Sequence, residues 1–236
     1  AYEKTGDYND SFFLKNIFDL YRRELINYPE TKDLKQADLY LSSIKTYQMN
    51  LGKEIYPSNK QIVAELLYNK LNLFDKLQYW LALLGISMSI IYVVNLLKGN
   101  NLNKWILLSF RLVALIFLII IFSGITLRWI AGGYFPLSNS YEVMLFISGL
   151  SIFIGLLLSY KQPLLLSLSL LLSFSFLLVA HLMNINPAIG NLVPVLKSYW
   201  LSFHVAIITT SYAIFGLVML ISLVNLSLFL FVKERD

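Results

Sequence analysis

Not one of the 236 residues is a cysteine. Within this chain that absence excludes a disulfide framework, a thiolate-ligated zinc or iron–sulfur site, a CxxC redox motif and a cysteine nucleophile. Histidine is almost as scarce, and the two present are too few for a dedicated protein-only zinc site. Charge is thin as well, at 14% against about 25% in soluble domains, while 57% of the residues are hydrophobic. Those proportions belong to a membrane protein. Also missing are a Walker A loop, a Rossmann fingerprint, an HExxH pair and paired carboxylates inside an apolar run, and no internal repeat is visible. No residue is therefore assigned a catalytic role.

The charge that is present is unevenly spread. Residues 1–76 hold 11 basic and 11 acidic side chains, and the rest of the chain holds 8 basic against 3 acidic. The excess thus lies in the apolar part, where it bears on membrane orientation and lipid contact rather than on nucleic acid. Crossing a hydrocarbon core of about 30 Å takes about 20 apolar residues. Five segments satisfy this: 77–97, 105–127, 143–160, 163–183 and 199–232. Backbone groups in lipid must pair internally, and the runs are too long for the alternating strands of a barrel, so the spans are helices. The expected fold is an all-α integral membrane protein with about five transmembrane helices and an N-terminal extracytoplasmic helical segment. Its two regions are residues 1–76, running into the first span, and a membrane domain, 77–236.

Lys98, Lys104, Lys161, Lys233 and Arg235 flank one side of these spans, and only Arg128 and Lys197 the other. By the positive-inside rule the first set is cytoplasmic, and residues 1–76 lie outside. Phe12, Phe13, Ile17, Leu20 and Tyr21 recur at helical spacing, and Ser58 or Asn59 is placed to cap a later helix. From Lys60 to Leu97 there is no proline, so that helix is expected to continue straight into the first span. The chain starts at Ala1 without a signal-like n-region and stops just after a helix, so it is expected to be a piece of something longer.

Three places could carry chemistry. His181 and His204 both fall near the outer ends of spans, and Trp200 precedes His204 by one turn on the same face. Imidazole is the strongest transition-metal or haem-iron ligand this chain has, although an interfacial histidine commonly just hydrogen-bonds to water, backbone or headgroup. The connector RWIAGGYFPLSNSYE, residues 128–142, combines a helix start, in which Glu142 is placed to close a capping box on Asn139, with an aromatic and cationic ledge. Arg128, Trp129, Tyr134 and Phe135 form that ledge, which would suit a planar anionic ligand. As part of a capping box, Glu142 is expected to tolerate replacement by Gln. Arg111, six residues past Trp105, is the one charge well inside a span and within snorkelling reach of its inner end.

The stretches 128–142, NLVPVLKSYWLSFHVAIITTSYAIFG (191–216) and AELLYNKLNLFDKL (64–77) together resemble the CcsA/ResC-type cytochrome c biogenesis proteins, most closely the fused CcsBA form. The resemblance covers about residues 60–232. It implies a system II machinery that carries haem (haem b) outward across the bacterial inner membrane and attaches it to the CxxCH motif of apocytochrome c. It also implies that His204, matching the first external histidine of the family, is a haem axial ligand, with Trp200, Arg128, Trp129 and His181 as neighbours of the site. The family's tryptophan-rich WWD segment and its remaining haem ligands are absent here. Synthase activity is accordingly expected only of the complete protein. The implied partners are apocytochrome c, a thioredoxin-like thiol reductant, and the rest of the synthase with its WWD segment and CcsB-like region. The rival readings are a transporter of another substrate and a structural membrane subunit without a ligand.

Overall fold

A computed structural model describes residues 8–52, 56–100, 102–182, 188–189 and 198–231. Lys197, Lys233, Arg235 and most of the 184–198 connector lie outside the described residues. Every regular element among the described residues is a helix: α1 (Tyr8–Thr31), α2 (Lys35–Leu51), α3 (Asn59–Leu71), α4 (Leu73–Leu97), α5 (Lys104–Gly132), α6 (Ser140–Leu158), α7 (Pro163–Leu182) and α8 (Tyr199–Phe231). Five of them are long and apolar enough to cross a membrane, at Leu73–Leu97, Lys104–Gly132, Ser140–Leu158, Pro163–Leu182 and Trp200–Ser227. The five expected spans are all present.

The chain forms two compact units that divide at Ser58 and Asn59. The first is a helical hairpin of α1 and α2. Among its described residues Ile17 and Ala37 are buried, and the Phe13 and Tyr47 rings are 4.9 Å apart.

In the second unit α6 and α7 are the most enclosed helices. About half of each apolar window is buried, 44% and 50%, against 17% for α4, α5 and α8. Lipid offers no hydrophobic reason for helices to associate, so close packing relies on small residues and interhelical hydrogen bonds. Here serines serve. Ser148 and Ser173 share a hydrogen bond of 2.6 Å across the α6–α7 seam, and a Cβ at Gly155 would collide with the Ser169 side chain. Leu81, Met88, Ile121, Leu145, Ile152, Leu166 and Leu170 fill the core around this seam.

The helix ends follow local chemistry. Asn103 Oδ1 accepts from the Trp105 amide to start α5, and Gly133, at φ 71°, ends it in the left-handed region that glycine occupies without strain. Pro163 opens α7 at the one helical position where its missing N–H costs nothing.

The helix expected to run unbroken from Lys60 to Leu97 is instead two. Asn72 adopts φ 42°, ψ 54°, dividing α3 from α4. Asparagine is among the few residues that enter the left-handed region readily, so a break needs neither proline nor glycine. The cause is tertiary: α3 lies along α5, and Phe74 packs against Gly124, where an added Cβ would come within 2.6 Å of the ring.

Candidate functional site

The spans alternate in direction, which gives the second unit two ends. One carries Lys98, Lys104 and Lys161 in its connectors; the other gathers the start of α4, the α5–α6 connector, the end of α7 and the start of α8. Both histidines are at the second end.

At that histidine end an ion pair is buried. Arg128, in the last turn but one of α5, and Glu142, in the first turn of α6, are 1% and 2% exposed, and Arg128 Nη2 donates to Glu142 Oε1 at 3.0 Å. The second carboxylate oxygen accepts from the Ser138 amide at 2.9 Å and from its hydroxyl at 2.8 Å. Arg128 Nη1 donates to the Tyr68 hydroxyl at 3.2 Å, which in turn shares a hydrogen bond of 3.3 Å with Tyr141. The guanidinium also lies over both rings, 5.2 Å from the Tyr68 centroid and 5.1 Å from that of Tyr141. Two helices, α3 and α6, thus converge on the cation carried by α5, each supplying an acceptor and an aromatic face.

This geometry corrects two expectations. Arg128 is not an exposed cationic ledge, because its charge is already met by Glu142 inside the protein; only the aromatic part of the ledge remains open. Trp129 is half exposed, with Phe135 edge-on behind it at 5.2 Å. Glu142, in turn, makes only half of the capping box. Asn139 Oδ1 accepts from the Glu142 amide at 2.9 Å, but the carboxylate turns to Ser138 and Arg128 instead of returning to Asn139. Replacement by Gln therefore leaves a buried guanidinium without its counter-charge. Sign complementarity was the signal available beforehand, since Glu142 is the only acid between Lys76 and Lys233.

His181 ends α7, and its Nδ1 is 3.1 Å from Asp75 Oδ1 in the first turn of α4. Both side chains are nearly half exposed. The pair holds the ring so that Nε2 points away from the carboxylate. His204 is exposed near the start of α8, and Trp200, one turn earlier, is 81% exposed. Among the described residues nothing hydrogen-bonds to the His204 ring.

The two imidazoles do not converge. Leu172 packs against Gly216, and in that antiparallel register His204 lies only roughly 5 Å beyond His181 along the helix axes. Their faces differ, however. His181 follows Leu172 by about two and a half turns, and His204 precedes Leu217, which shares a cluster with Leu172, by about 140° around the helix, so each faces away from the α7–α8 contact. Neither do the described residues contain a group of three or more side chains able to hold a metal ion. Asp75, Tyr68, Tyr141 and the ion-pair role of Glu142 were not read from the sequence.

Residues 137–235 match the model of the family described as cytochrome C assembly protein. Protein NrfI of Wolinella succinogenes is 39% identical over 191 residues, which cover 80% of this chain and 21% of that protein. The cytochrome c biogenesis protein CcsA of Prochlorococcus marinus strain SARG is 41% identical over 103 residues, 42% of this chain and 33% of its own. CcsA of Pyropia yezoensis is 36% identical over 151 residues, 56% and 45% respectively. The chain thus spans between a fifth and about half of the length of these relatives.

Proposed function

We propose that this chain, a cytochrome c biogenesis protein of the CcsA type, is part of a system II machinery that exports haem and attaches it to apocytochrome c. The observation that carries this reading is the open face at the start of α8, where exposed His204 and Trp200 stand together. An exposed imidazole with no competing hydrogen bond among the described residues, beside an exposed indole, fits one half of a haem site. Haem, the cargo, supplies the vinyl groups to which two apocytochrome thiols add.

This chain's own residues bind and orient. His204 offers its nitrogen as an axial ligand, and Trp200 covers the macrocycle. His181 faces away from α8, so a second ligand to the haem iron would come from elsewhere in the complete protein. Trp129, backed by Phe135, extends the aromatic surface at the same end, and the Arg128–Glu142 pair fixes the connector that carries it. The histidine end faces the periplasm and the lysine end the cytoplasm of a bacterial inner membrane, by the distribution of basic residues. Residues 1–76 then belong to the periplasmic side. The complete protein adds the WWD segment and a CcsB-like region, and a thioredoxin-like reductant keeps the apocytochrome thiols reduced.

The test uses the complete protein. His204→Gly should reduce bound haem, seen as loss or shift of the Soret band, and abolish cytochrome c assembly, and added imidazole should restore part of both. Unchanged haem content and assembly would remove His204 as a ligand.

A further inference from the structure

Gln78 is the one buried side chain, among the described residues, whose amide nitrogen and oxygen both lack a hydrogen-bond partner. It is 1% exposed and sits on the packed face of α4, in line with Phe74, Leu77, Leu81 and Met88. The antiparallel register that sets Asp75 beside His181 and Gly85 beside Leu171 brings Gln78 level with Leu178, so α7 offers it no polar side chain. A primary amide shut in apolar surroundings loses its hydration with nothing in exchange. Gln78 is therefore expected to keep a partner small enough to fit among packed side chains.

That partner must accept from one amide atom and donate to the other. Water does both. The surroundings also give it a route. Gln78 lies three residues inside Asp75, roughly 5 Å deeper along α4. A helical side chain leans toward the N-terminus of its helix, which directs this amide back toward the first turn. There Asn72 makes no side-chain cap to the α4 amides, and the Asp75–His181 pair opens to the surface. Tyr141 borders the same turn, its ring edge-on to that of Phe74 at 6.5 Å between centroids.

We infer that Gln78 is a hydration site: bound water reaches it past the Asp75–His181 pair, forming a polar notch in the seam of α4 and α7. It is the point where the aqueous phase at the histidine end penetrates furthest between these two helices.

The natural absence of cysteine makes the test direct. Methanethiosulfonate reagents attack thiolates, which form only where water reaches the sulfur. In the membrane-embedded protein, Gln78→Cys should react with a small hydrophilic methanethiosulfonate at least about tenfold faster than Leu81→Cys, one turn deeper on the same face and 0% exposed. A second variant guards against local rearrangement around the new thiol. Gln78→Leu, similar in size but unable to hold water, should lower the thermal midpoint of the purified protein. Modification of Gln78→Cys no faster than Leu81→Cys, or a Gln78→Leu protein as stable as the parent or more so, would overturn the hydration site.

Discussion

The two ends of the helical bundle each hold an arginine, and they satisfy it in opposite ways. Arg128, at the histidine end, is buried and faces a carboxylate. Arg111, at the lysine end, is half-buried and pairs with no carboxylate among the described residues; it donates from Nε to the Ser159 hydroxyl at 3.0 Å and from Nη2 to the Ser159 carbonyl at 2.7 Å. Its Cζ also stands 4.2 Å above the Tyr160 ring. Ser159 is the C-cap of α6, so this cation sits against the negative end of a helix and can still reach the aqueous side. A charge that keeps contact with water needs only dipoles. One enclosed by three helices needs a full counter-charge, because an unpaired ion there has nothing to replace its hydration. The histidine end is consequently built as a rigid frame and the lysine end as a surface.

The largest effect is expected where that frame loses its anion. Glu142→Ala strands the Arg128 guanidinium and should cost about 3–5 kcal/mol, read as a lowered thermal midpoint or poor accumulation in the membrane. Glu142→Gln should recover little of this, since both carboxylate oxygens accept, and the amide keeps one acceptor, loses the charge and sets an NH2 donor against either the Arg128 guanidinium or the Ser138 amide. Replacing both members, Arg128→Met with Glu142→Leu, should be markedly more stable than Glu142→Ala alone. If Glu142→Ala behaves like the parent, the contrast between the two ends collapses.

At the lysine end Arg111→Ala removes two charge-assisted hydrogen bonds from a site near water, and should cost about 2 kcal/mol. Arg111→Lys should recover part of that, since one ammonium can still reach the Ser159 carbonyl. The Asn72 turn sharpens the comparison further, because it lets α3 bring Tyr68 to Arg128. Asn72→Gly should be tolerated, whereas Asn72→Val forces a β-branched residue to positive φ and should cost about 1–2 kcal/mol. Equal stability of the two Asn72 variants would mean that the turn does not require its left-handed conformation.

Much of the fold was legible because hydropathy reports directly on the bilayer. Twenty apolar residues in a row leave a chain few alternatives to a spanning helix, and all five segments are present as expected. The Asn72 break was not legible, since its cause is the packing of α3 and Phe74 on α5, 50 residues away in sequence, while the local pattern stays helical. The site was legible by halves. Exposure of His204 and Trp200 follows from an overlong last helix. The Arg128–Glu142 pair joins two helix ends, and local reading explained each residue separately, one as a ledge and the other as a cap. Gln78 and Asp75 were passed over because single polar residues inside or beside an apolar run carry no motif; only their neighbours give them a role.

The smallest effect belongs to the second carboxylate at the histidine end. Asp75 and His181 are 44% and 46% exposed, so water competes for both and salt screens them. Asp75→Asn keeps an oxygen that can accept from the His181 ring, and should change stability by only about 0.2–1 kcal/mol. The same chemical change, carboxylate to amide, is thus set against Glu142→Gln, where burial makes the charge indispensable. Thermal unfolding of both variants in one detergent measures the difference. A loss at Asp75 as large as that at Glu142 would mean that Asp75 is coupled to the buried cluster through Tyr141, and that the histidine end carries one continuous charged network rather than a buried pair and a separate exposed one.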